Sequence, residues 1–219
     1  MLVREFCAEN MERVPAAVAA GAARVELCDN LAVGGTTPSL GVIEAAVAHC
    51  APLGVGVMAM VRPRGGDFAY DGPELAIMRR DLEVAAAAGV SGVVFGCARE
   101  GHLDVAATES LLACAREAAR DRGTALEVTF HMAFDAIVPD EQLAAIDWLA
   151  SRGVTRVLTH GGAAGTPVED NVARLRAYVE CAAGRIGILP GAGVTWENAE
   201  SVAAAVGVGE VHGTRIVRI

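Results

Sequence analysis

Short apolar stretches rich in Val, Ile, Leu and Phe alternate with longer Ala-rich stretches of helical spacing from one end of the chain to the other. The apolar stretches predict strands near 2–7, 23–28, 55–62, 92–96, 125–131, 154–159, 185–189 and 209–213. The stretches between them predict helices near 11–20, 39–50, 73–88, 104–121, 139–151, 168–182 and 195–206. Several begin at Pro or Asp, and Gly21, Gly89, Gly153 and Gly184 stand where helices end. No Ser-rich or Pro-rich linker divides the pattern, so residues 1–219 read as a single domain. Repeated β/α units in one domain predict an α/β fold of the (β/α)8, or TIM-barrel, type. The alternative, an open doubly wound sheet, usually carries glycines in its first βα turn, and "AENMERV" at 8–14 has none. After the last strand only "TRIVRI" remains, so the eighth helix is expected to be short or missing. Either the chain stops early or another subunit covers the gap.

Alternation within the strands says which side chains enter the barrel. With Val, Leu and Phe turned toward the helices, Glu5, Cys7, Arg24, Glu26, Cys28, Met58, Met60, Arg62, Glu127, Thr129, His131, Glu210 and His212 point inward. Such an interior is unusually polar, and its carboxylates need pairing, protonation or water. Arg24 and Arg62 are the nearest expected cations.

Composition narrows the function. The chain is 53% hydrophobic but only 4% aromatic, which calls for a core of small side chains. A net charge of −9 argues against a nucleic-acid partner. Arg4 and Glu5 interrupt any leader-like apolar run, and no long uncharged stretch follows, so no membrane partner is expected and the reading is a cytoplasmic protein. Six scattered cysteines lack CxxC spacing and are expected to be reduced.

Two loops carry further chemistry. In "VRPRGGDFAY" at 61–70, Arg62 and Arg64 leave the third strand at the end where barrel active sites lie, with Gly65 and Gly66 for a close turn and Asp67 as an arginine partner. They either hold an anion or close the mouth as a structural network. "PGAGVTWEN" puts Gly191 and Gly193 just before a helix, where barrel folds commonly bind phosphate. With Glu5 and His212 nearby, these residues form a candidate site for a small anionic ligand. Glu127, His131, Glu26 and Asp135, expected at strand C-terminal ends, are candidate acid/base residues of a metal-independent enzyme acting on a phosphorylated or carboxylated substrate.

The blocks "EFC" at 5–7, "ARVELC" at 23–28, "GGTTPS" at 34–39, "RPRGGDF" at 62–68, "TFHMAFD" at 129–135, "RVLTHGG" at 156–162, "PGAGV" at 190–194 and "EVHGT" at 210–214 run in order along the chain. Together with "VVFG" at 93–96 they resemble the CutC-type copper homeostasis family. The resemblance implies a barrel, frequently a homodimer, in a cytoplasmic protein of copper tolerance. It also implies Cu(I) as the bound ion, with Cys7 and Cys28 as metal ligands. Both are inward by alternation and lie on neighbouring strands, and soft thiolates suit Cu(I). Two positions depart from the family pattern: Met132 stands where Arg is usual, and His160 where Ser is usual. His160 is either a titratable group near the ligand or a solvent-facing substitution.

Overall fold

The computed structural model describes residues 2–163 and 165–219. Eight parallel strands form the sheet: β1 (Val3–Glu9), β2 (Arg24–Cys28), β3 (Gly56–Met60), β4 (Gly92–Phe95), β5 (Glu127–Phe130), β6 (Arg156–Thr159), β7 (Gly187–Pro190) and β8 (Glu210–Gly213). Their order is β8-β1-β2-β3-β4-β5-β6-β7, every neighbouring pair parallel. The end strands β7 and β8 pack side by side without a hydrogen-bonded ladder, so the barrel is nearly closed.

Seven helices cover the outside: α1 (Val14–Ala19), α2 (Leu40–Cys50), α3 (Gly72–Ala87), α4 (Val105–Arg122), α5 (Gln142–Ser151), α6 (Val172–Ala182) and α7 (Ala199–Val206). Their apolar faces bury the outward strand residues, including Phe6, Val25, Leu27, Phe95 and Phe130, in one continuous core. The barrel interior is a second, smaller cluster of Cys7, Cys28, Met58, Met60 and Val94. Two separate cores on the two faces of each strand are the expected consequence of period-two alternation.

Local chemistry sets the helix starts. Asp71 caps α3 and forms a capping box with Glu74, each side chain taking the other's backbone N–H. α5 and α6 begin later than the sequence predicts, because short 3-10 turns at Pro139–Glu141 and Val168–Asn171 come first. α7 also starts late: the Thr195 N–H bonds Asn198 Oδ1 at 2.7 Å, making a turn of what the pattern reads as helix. A small hairpin, Ala98–Arg99 with His102–Leu103, is absent from the sequence reading. Its two-residue turn places Glu100 and Gly101 at φ 53° and 83°.

Among the described residues, no helix follows β8. The terminal segment instead pairs with the loop after β7, through a Thr195–Arg215 bridge, and buries Ile216 and Val217. No helix among these residues is long and apolar enough to cross a membrane.

Candidate functional site

Inward residues at the start of the strands form a charged layer near the N-terminal end of the barrel. Arg24 pairs Glu5 through Nε and reaches Glu210 Oε2 at 2.6 Å. Arg156 meets Glu127 Oε2 at 2.8 Å and Glu210 Oε2 at 3.4 Å. Arg156 was missed by the sequence reading, although alternation in "RVLT", with Val157 outward, points it inward.

His212 and Glu26 stand above this layer. Glu5 Oε1 lies 2.8 Å from His212 Nδ1, and His212 Nε2 lies 3.9 Å from Glu26 Oε1. Cys7 Sγ and Cys28 Sγ approach the same Glu26 oxygen at 3.6 and 3.5 Å. Register explains the convergence: Cys7 pairs with Glu26 across β1 and β2, and Glu26 with Met58 across β2 and β3. Donor atoms of Cys7, Glu26 and His212 all lie within 4.8 Å of one another.

The electrostatics of this group sort its protons. Burial raises the Glu5 carboxyl, but the His212 hydrogen bond and the Arg24 charge outweigh it and bring the pKa down to about 2. Burial lowers His212, but its proximity to the Glu26 carboxyl and its contacts with Cys7 and Glu5 hold it well above its usual value. Cys7, hydrogen-bonded by Cys28 and facing His212, falls to about 5 despite its burial. Cys28 moves the other way, raised by its bond to Cys7 and by burial. Glu26 is pushed up to about 8 by burial, with His212 only partly offsetting it. The cluster thus favours an ionised Glu5 and a charged His212, eases ionisation of Cys7 and opposes that of Glu26 and Cys28.

A cavity of about 490 Å³ opens above this floor at the C-terminal end of the barrel. Cys7, Glu26, Arg62, His131, Gly193 and His212 line it, and Cys28 lies buried behind Cys7. Gly191 sits under the rim, where a Cβ would come 2.6 Å from Leu158 Cδ1 and 3.3 Å from His212 Cδ2. Phe68, Met132, Leu158 and Arg215 also line the cavity, and none was a candidate from the sequence.

The other candidates lie elsewhere. Glu127 opens β5 and so faces the opposite end of the barrel, a correction to its expected place at a strand C-terminus; strand alternation fixes the face but not the depth. Glu5 lies in the same deep layer, fully buried. Arg64 turns away from the mouth to bind Glu74 and Asp67. Asp67, largely exposed, braces that loop. Asp135 accepts hydrogen bonds from Thr159 Oγ1 and from the His160 N–H, which ties two loops together rather than serving the cavity. His160 is buried, not solvent-facing: its ring contacts Thr166 Oγ1 at 3.1 Å and the Asn171 amide at 3.0 Å. Contrary to expectation, Arg62 pairs no carboxylate among the described residues; its Nη atoms donate to the carbonyls of Val33, Gly35 and Gly66 at 2.8–2.9 Å.

Fold and site together define a TIM-barrel protein with a thiol, carboxylate and imidazole floor beneath an open mouth. A sequence model of the CutC family matches residues 2–217. The CutC family protein of Enterococcus faecalis (strain ATCC 700802 / V583) is 51% identical over 99% of this chain and 100% of its own length. That of Streptococcus pyogenes serotype M6 is 45% identical over 99% and 100%. The crystal structure of a Streptococcus agalactiae protein that carries the name copper homeostasis protein CutC superposes with a TM-score of 0.92 at 43% identity, covering 99% of this chain and all of that one. This chain belongs to the CutC family. A 2,3-dimethylmalate lyase, at 15% identity and a TM-score of 0.67, covering 97% of this chain and 75% of that one, shares the fold alone.

Proposed function

We propose that this CutC-family protein serves copper homeostasis by holding Cu(I) at Cys7 and Cys28, as a cytoplasmic homodimer. The observation that carries the reading is the convergence of both thiols on one carboxylate oxygen at the cavity floor, with Met58 and Met60 packed into the same cluster. The donor set fits the ion. Thiolate and thioether sulfur are soft ligands suited to Cu(I), and Cys7 is already inclined to ionise. His212 stands in the same cluster, and a bound ion would displace the proton its neighbours hold there. Cys7 lines the cavity, which gives copper a route to the pair from solvent. Reduced thiols accord with a cytoplasmic compartment.

The test is an anaerobic Cu(I) titration of the reduced protein against a calibrated competing chelator, with the Cys7→Ser/Cys28→Ser variant alongside. One equivalent bound tightly by the parent and lost in the variant is the expected result. Binding indifferent to the two substitutions would remove the cysteine site from consideration.

A further inference from the structure

The upper cavity contains chemistry that a soft metal ion does not use. Arg62 is 3% exposed, and among the described residues no carboxylate lies within ion-pair reach of its guanidinium. Three carbonyl groups satisfy its Nη hydrogens, but carbonyls do not neutralise its charge, and its Nε is buried without a partner. The ring of Phe68, 4.9 Å from the guanidinium carbon, fixes its plane. A buried, unneutralised cation is costly unless something anionic meets it.

His131 adds a neutral donor that lacks an acceptor, from the next wall. It is 3% exposed and lines the same cavity. Its Nδ1 accepts the Ala133 N–H at 3.2 Å, so the ring proton sits on Nε2, which has no acceptor.

Across the mouth, the loop after β7 passes through Ala192 at φ 56° and Gly193 at φ 110°. Among the described residues, the backbone N–H groups of Ala192, Gly193, Val194 and Thr214 make no hydrogen bond. Gly213 allows the two loops to meet, since a Cβ there would stand 2.4 Å from the Val194 carbonyl oxygen. Arg215 adds an exposed positive charge to that rim.

We propose that the barrel mouth is a binding site for a small oxygen-rich organic anion, its charged group on the 192–194 and 214 amides beside Arg215, its other oxygens toward the Arg62 and His131 side chains that line the cavity. Each of these groups is a hydrogen-bond donor, so the complement is a set of acceptors, and a metal cation finds no ligand among them. The volume of about 490 Å³ lies in the range of small-molecule sites and far exceeds the needs of one ion. Apolar walls at Leu31, Val33, Met60 and Leu158 suit a short carbon skeleton. The charged group is a phosphate or a carboxylate; both present the same acceptor oxygens to these amides. The inference does not rest on copper binding, and a negative Cu(I) titration leaves it standing.

The experiment is a two-dimensional ¹⁵N–¹H amide titration of the metal-free protein with inorganic phosphate, glycerol 3-phosphate and glycerate in separate arms. Saturable shifts of the Gly193, Val194 and Thr214 amides, tighter for an organic probe than for inorganic phosphate, are expected. Strength in the glycerol 3-phosphate arm identifies a phosphate; strength in the glycerate arm identifies a carboxylate. Arg215→Glu, an exposed change, is expected to weaken binding at least about fivefold, through reversal of the rim charge. Arg62→Gln is expected to weaken the organic probes more than inorganic phosphate. Should Arg62→Gln fail to fold, the parent map and Arg215→Glu decide. Shifts that stay linear with concentration in every arm, or saturable shifts that Arg215→Glu leaves unchanged, overturn the proposal.

Discussion

His131 shows how one side chain can be set by its neighbours. Burial, reinforced by the positive charge of Arg62, pushes its pKa down to about 3 from a model-compound value of 6.5. The folded ring therefore stays neutral while an unfolded one takes up a proton as the pH falls below 6.5. Stability contributed by the neutral ring is complete above pH 6.5 and drains away as the pH drops toward 3, at up to about 1.4 kcal/mol per pH unit. Urea unfolding of the parent and of His131→Gln over this range is expected to show a steeper acid loss in the parent. Parallel curves would mean that the folded ring protonates as readily as the unfolded one. The same scale shows what alternation reveals and what it leaves out. It points Glu5, Cys7, Arg24, Glu26 and Cys28 inward from the sequence, because a barrel strand has only two faces. It gives no depth along the barrel axis, so Glu127 reads as a mouth residue while lying in an ion pair with Arg156 at the other end. Nor does it foresee that Arg62 bonds carbonyls instead of carboxylates, since those carbonyls belong to loops whose path only the folded chain defines.

Pairs of elements are held by residues chosen for what they leave out. Gly92 opens β4 on the inward face, and a Cβ there would lie 2.4 Å from Met58 Cε and 2.5 Å from the Glu127 carbonyl oxygen. Met58 can rotate; the carbonyl belongs to the neighbouring strand and cannot move without opening the β4–β5 pair. Gly92→Ala is expected to cost about 1–3 kcal/mol as an overpacking change, read as a lower urea midpoint with an unchanged slope. An unchanged midpoint would show that the strands part freely here. Strands were the most legible elements in the sequence, because each is a short apolar run between turns. Helix starts were less so. Pro139 and Pro167 mark boundaries in the sequence, yet a 3-10 turn and a continuing helix use the same residue types, and only the folded geometry separates them. The hairpin at 98–103 has strands of two residues each, too short for any periodicity to register.

At the scale of the molecule, the sector of the barrel beside β8 is covered, among the described residues, by the segment after that strand. That segment buries Ile216 and Val217 but leaves Ile219 45% exposed and Trp196, on the strip it pairs with, 44% exposed. Arg218 stacks on Trp196 at 5.2 Å, which shields one face of the indole and leaves the other to solvent. A large aromatic side chain exposed beside a sector with no covering helix among the described residues is the kind of surface a second copy would cover. For the proposed homodimer, the contact between copies is expected across this sector. Light scattering is expected to return about twice the 22.5 kDa chain mass for the parent, and Trp196→Glu, which places a charge in the contact, is expected to return the single-chain mass with the fold retained by circular dichroism. A parent that runs as a monomer would instead mean that the terminal segment alone closes the barrel wall. A dimer that survives Trp196→Glu would move the contact to another face.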